Sequence, residues 1–184
     1  MITARISQAR LAGLAYLAVV LTGLFALAWV PSQLSLGPDN RANALLIADR
    51  QGFYRLGLLG LLANQIAFVV LPLLLWRLLA RHGATLAALM VAFALVGVPM
   101  ALSALGLRLD ALGLLPDVEL AAAALDAARN RMLIAMTFWG LWLLPLGVLV
   151  WRSRVAPRGL AALLMLGCLG YLVQVAAGVL AVDI

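Results

Sequence analysis

Lysine is absent from this chain of 184 residues: all thirteen basic side chains other than His82 are arginines. With no ε-amine available, an internal Schiff base to retinal or pyridoxal phosphate is excluded. The single histidine, His82, falls in a short basic loop between apolar runs, which excludes haem held by paired histidines and leaves an intramembrane Ser–His protease without its base. One cysteine, Cys168, permits no intramolecular disulfide and leaves the redox compartment open. Acids number only seven, and none lies inside a long apolar run. The intramembrane carboxylates of proton relays and aspartyl proteases are therefore missing. No phosphate-cradling glycine loop, nucleophile elbow or metal-ligand cluster can be read.

Apolar residues make up 66% of the chain and charged ones 11%, against roughly 25% charged in a soluble domain. This is the composition of a chain dissolved in lipid. A spanning helix needs roughly 20 apolar residues, and five runs meet that need: about 11–30, 56–76, 85–107, 132–151 and 159–182. The expected fold is all-α, an integral membrane bundle of five transmembrane helices filling a single domain, 1–184. Little chain is left between the spans for anything else.

The charges sort by segment. Arg5, Arg10, Arg77, Arg81, Arg152, Arg154 and Arg158 fall on one side with no acid beside them. Arg41, Arg50, Arg55, Arg108, Arg129 and Arg131 fall on the other, with Asp39, Asp49, Asp110, Asp117, Glu119, Asp126 and Asp183. The positive-inside rule then predicts a cytoplasmic N-terminus and an external C-terminus. The net charge of +6 needs no nucleic acid, because anionic inner-leaflet lipid near Arg77, Arg81, Arg152, Arg154 and Arg158 accounts for it. Arg5, Arg10 and Ala26-Leu27-Ala28 imitate a signal peptide, but the apolar run between is long enough to span, and an uncleaved first helix is expected.

Two phrases resemble each other, "LPLLLWRLLARHG" from Leu71 and "LPLGVLVWRSRVAPRG" from Leu144. Leu36-Gly37-Pro38-Asp39 parallels Leu114-Leu115-Pro116-Asp117, Arg55 parallels Arg131, and Leu86-Ala87-Ala88-Leu89 parallels Leu160-Ala161-Ala162-Leu163. Two explanations stand. One is a tandem parallel repeat of helices 2–3 and 4–5, with units 36–107 and 114–182. The other is convergence, since any hairpin of that orientation places aromatic residues and Arg at the inner interface. Both outer segments also read as short interfacial helices. Asp117 is placed to cap one with Val118, Ala121, Ala122, Leu125 and Ala128 on a single face, and the other runs from Asp39 to about Gln51.

Among the few polar side chains within the spans, Asn64 follows Gly57 and Gly60 on one helical stripe, while Gln174 shares a stripe with Gly167, Gly170 and Gly178. Asn64 lies nine residues past Arg55 and Gln174 nine before Asp183, about 13 Å each at 1.5 Å per residue. Asn64, Gln65, Tyr171 and Gln174 are therefore the candidate ligand-binding residues, a polar niche for a neutral or lipid-like molecule. The competing reading is interhelical hydrogen bonding through glycine grooves. Pro72, Pro99 and Pro145 interrupt three spans and are expected to kink them. No catalytic residue, metal ligand or cofactor is expected.

"RLAGLAYL" from Arg10, "GFYRLG" from Gly52 and "WRSRVAPRGLAALLMLGCLGYLV" from Trp151 resemble a bacterial multi-spanning membrane family, domain of unknown function 4386. Many members carry a histidine after "FGL" in the fourth span, where this chain has Trp142 after "WGL". The resemblance implies a multi-pass protein of the bacterial inner membrane and carries over no activity, substrate or catalytic residue.

The functional expectation is a non-enzymatic binding, assembly or accessory subunit with a protein partner or a second copy of itself. The alternative is a small carrier or channel for a neutral or lipidic solute. A membrane-surface lipid-modifying enzyme, using the external acids, ranks third.

Overall fold

The computed structural model describes residues 2–180, and every regular element among them is helical. Helix α1 (Ile2–Gly23) continues without a break through a π-helical segment, Leu24–Trp29, and a final α turn, Val30–Gln33. There follow α2 (Asn40–Asp49), α3 (Gln51–Leu79), a 3-10 turn (Ala80–His82) and α4 (Ala84–Leu114). The chain continues as α5 (Val118–Leu141), α6 (Leu143–Ser153) and α7 (Arg158–Leu180). Five stretches are long and apolar enough to cross a membrane: Gln8–Gln33, Gln51–His82, Ala84–Leu114, Val118–Ser153 and Arg158–Leu180. Each expected run falls in one of them, because in hydrocarbon only a helix satisfies its own backbone polar groups. Residues 181 and 182 of the fifth run, and Asp183, lie outside the described residues.

The prolines act differently from one another. Pro72 and Pro99 sit inside helices that continue through them. Pro145 sits near the start of α6, and its ring crowds the carbonyl four residues back, that of Leu141, where α5 ends. Pro31 crowds the Leu27 carbonyl in the same way, and there the helix widens instead of ending. The Val30 N–H donates to the Phe25 carbonyl, five residues back, so the π segment is the relief of that clash.

The outer segments also differ. The first forms its own helix, α2, whose N-cap Asp39 accepts a hydrogen bond from the Arg41 N–H at 2.9 Å. The second is not a separate interfacial helix, contrary to the sequence expectation. Asp117 does cap it, accepting from the Glu119 and Leu120 N–H groups at 3.1 Å each, but the helix runs on as α5 to Leu141. No glycine or proline lies between Val118 and Trp139, and a helix once nucleated adds residues at little cost.

The chain folds into two compact units, each made of portions of several helices. One comprises Tyr16–Ala67 and Met100–Met132, and contains every acid among the described residues as well as Arg41, Arg50, Arg55, Arg108, Arg129 and Arg131. Its core gathers Val30, Leu34, Ile47, Leu58, Leu61, Leu112 and Leu125 around small residues such as Ala26, Ala44 and Ala121. The other comprises 2–15, Phe68–Pro99 and 133–180, and has arginines without a described acid. There Phe68 packs edge-on against Trp142 and Trp139, with ring centroids 5.0 and 6.2 Å apart. At Gly147, α6 and α7 approach closely: a Cβ would lie 2.7 Å from the Met165 side chain and 3.0 Å from the Ala161 carbonyl. The two compact units thus coincide with the division by charge.

Candidate functional site

The acid-bearing unit holds a cavity of about 260 Å³, lined by side chains from α1, α2, α3, α4 and α5. Its apolar wall is Ala26, Val30, Leu58, Leu61, Ile47 and Leu125, all buried. Tyr54, Asn40, Asn43, Arg108 and Arg129 supply the polar wall. Gly57 of α3 keeps α1 close there, since a Cβ on it would fall 2.7 Å from Val30 Cγ1.

The polar rim is built around one amide. Asn43, buried, accepts from the Gly37 N–H at 2.8 Å and donates from Nδ2 to the Gly37 carbonyl at 2.8 Å and to Asn40 Oδ1 at 2.9 Å. That clamp fixes the α1–α2 loop and orients Asn40, whose Nδ2 donates to Asp126 Oδ1 at 2.8 Å. Asp126 also accepts from Arg129 Nη2 at 2.7 Å, and Arg129 Nη1 donates to the Pro38 carbonyl at 3.1 Å. Arg129 thus enters the cavity wall with its charge already compensated.

Ion pairs compensate two further arginines in this unit, Arg41 with Glu119 at 2.8 Å and Arg50 with Asp49 at 4.0 Å. Arg131 donates to the Ser103 hydroxyl. Arg108 and Arg55 make neither a hydrogen bond nor an ion pair among the described residues. Arg108 is half-buried and lines the cavity together with Tyr54. Guanidinium is always charged and presents five donors, so the cavity contains an unmatched cation. A second hollow, an apolar groove of about 280 Å³, is lined by Arg55, Leu58, Leu59, Leu62, Leu105 and Leu109.

The residues of the expected polar niche are placed less uniformly. Asn64 is buried and its Nδ2 donates to the Val19 carbonyl at 2.7 Å and to Thr22 Oγ1 at 3.1 Å, tying α3 to α1. Gly60 and Gly23 make that approach possible: a Cβ on Gly60 would be 2.8 Å from the Phe25 ring, and one on Gly23 would be 3.2 Å from Asn64 Nδ2. Gln65 is buried beside it, Nε2 donating to Asn64 Oδ1 at 3.4 Å, with Oε1 left without a hydrogen bond. These two belong to the acid-bearing unit, whereas Tyr171 and Gln174 belong to the other. Tyr171 is half-buried with its Cβ against Gly140, and Gln174 is exposed. Along that stripe a Cβ on Gly178 would lie 2.9 Å from the Leu133 side chain and one on Gly167 3.4 Å from that of Leu143, but Gly170, one turn before Gln174, would meet nothing within 4 Å, so the amide itself does not lie in a groove.

The cavity residues Tyr54, Arg108 and Asn43 are not among those singled out from the sequence. A signal for Arg108 was present. Its neighbours one turn away on α4, Ala104, Leu105, Ala111 and Leu112, are all small or apolar, and all are buried. An arginine on such a face points inward.

No curated protein and no solved structure matches the chain. The model of one family, described as a domain of unknown function, DUF4386, matches residues 11–184. That stretch contains the cavity and both unmatched arginines, so the chain belongs to the DUF4386 family of domains of unknown function.

Proposed function

We propose that this chain is a non-enzymatic binding subunit of the bacterial inner membrane, holding a small amphipathic molecule in the cavity of its acid-bearing unit. The observation that carries the reading is Arg108, a guanidinium with no hydrogen bond or ion pair among the described residues, on the wall of a largely apolar cavity whose other arginine, Arg129, is compensated. Leaving a charge unmatched against apolar surface costs free energy, which an anionic group of a ligand would recover. The carrier or channel alternative relied on Asn64, Gln65, Tyr171 and Gln174 as a pore lining. The Asn64 amide is occupied in joining α1 to α3, which favours the binding-subunit reading over it.

The test is native mass spectrometry of protein extracted gently from its own membrane. A discrete bound mass is expected in the wild type, lost in Leu61→Phe, which fills the cavity, and in Arg108→Leu, which removes the cation. Retention of that mass in both variants would sink the reading.

A further inference from the structure

The groove and the cavity share Leu58, and each has one unmatched arginine on its wall, Arg55 in the groove and Arg108 in the cavity. Arg108 lies between Leu105 and Leu109 in the sequence of α4, and both of those leucines line the groove. Of the six arginines in this unit, only these two make no hydrogen bond or ion pair among the described residues. Leu59, Leu62 and Leu109, by contrast, are 62%, 40% and 49% exposed and form an apolar trough open to the surroundings. From Arg55 to Leu62 the trough follows α3 for seven residues, roughly 10 Å at 1.5 Å per residue, about a third of a hydrocarbon core.

We propose that this is a site for one anionic membrane lipid, its headgroup on the guanidinium groups of Arg108 and Arg55 and an acyl chain lying in the Leu59–Leu62–Leu105–Leu109 groove. It rests on the binding-subunit reading and names the class of its ligand. Charge complementarity selects the occupant, because an acyl chain gains little by leaving lipid for a leucine groove, lipid being equally apolar. Affinity therefore resides in the charge-assisted hydrogen bonds, and headgroup charge decides binding while chain length does not. The site belongs to the acid-bearing unit and uses other arginines than those of the basic loops, which attract anionic lipid only as a diffuse surface.

The experiment loads purified, delipidated protein with an equimolar mixture of dioleoyl phosphatidylglycerol and dioleoyl phosphatidylcholine and counts bound lipids by native mass spectrometry. Preference for phosphatidylglycerol in the first bound lipid of about tenfold is expected, the order of one charge-assisted hydrogen bond. Arg108→Gln with Arg55→Gln should abolish that preference, Arg108→Lys with Arg55→Lys should largely restore it, and Arg131→Gln, an equal charge loss in the same unit, should leave it intact. Unchanged helicity and a single elution peak establish that the variants fold, and the lysine pair keeps the test decisive if the glutamine pair does not. Equal retention of the two lipids by the wild type, or undiminished preference in the glutamine pair, would overturn the lipid site. In that event a host-derived mass still displaced by Leu61→Phe would leave the binding subunit standing, and its absence as well would remove both.

Discussion

At the scale of single residues, two amides that look equivalent in the sequence have different surroundings. Asn64 donates two hydrogen bonds to α1 from a buried position, while Gln174 is exposed on α7. Hydrogen bonds of this kind between membrane helices contribute roughly 0.6–1.7 kcal/mol each. Asn64→Leu should accordingly cost about 1–2 kcal/mol in a reversible denaturation in detergent, and Gln174→Leu should be neutral within about 0.5 kcal/mol. Equal effects would overturn the distinction between the buried amide and the exposed one. Asn64 was legible as an interhelical donor because Gly57 and Gly60 precede it at helical spacing and mark a close approach. On α7 the pattern marks approaches at Gly167 and Gly178, to Leu143 and Leu133, but none at Gly170, one turn before Gln174, since a glycine allows an approach and something else must make it.

At the scale of elements, close packing of α1 against α3 depends on Gly57, and the free face of α7 provides its control. Gly57→Ala would drive a Cβ to 2.7 Å from Val30, a β-branched side chain that is 2% exposed and has little rotamer freedom. Despite the better helix propensity of alanine, a loss of about 1–3 kcal/mol is expected. Gly170→Ala meets nothing within 4 Å and should gain up to about 1 kcal/mol from propensity alone. Chemical denaturation of both variants side by side checks the pair, and a stable Gly57→Ala would show that α1 can move away. Helix ends were legible where chemistry marks them, as at Asp39 and Asp117. The π segment was not, because proline signals a local conflict without saying whether the helix will stop, as before Pro145, or widen, as before Pro31.

At the scale of the whole molecule, the segregation of charge predicts topology. Ser35 and Val155 are both exposed, one in the α1–α2 loop of the acid-bearing unit and the other in a basic loop. Ser35→Cys should react with an impermeant maleimide on intact spheroplasts, and Val155→Cys only after permeabilisation. Cys168, 2% exposed, should add little background. The reverse labelling pattern would invert the orientation. Composition alone determined that the chain is helical and rich in membrane-length spans, because each span is a local property: about 20 apolar residues in a row need no information about their neighbours. The grouping of the charges was equally local, and the two compact units follow it. Only the tertiary structure decided which arginines are compensated. Arg129 meets the Pro38 carbonyl and Arg41 meets Glu119 across long stretches of chain, while Arg55 and Arg108 meet no partner among the described residues. Pairing of charges depends on distances between segments remote in sequence, and no periodicity along one helix encodes those distances.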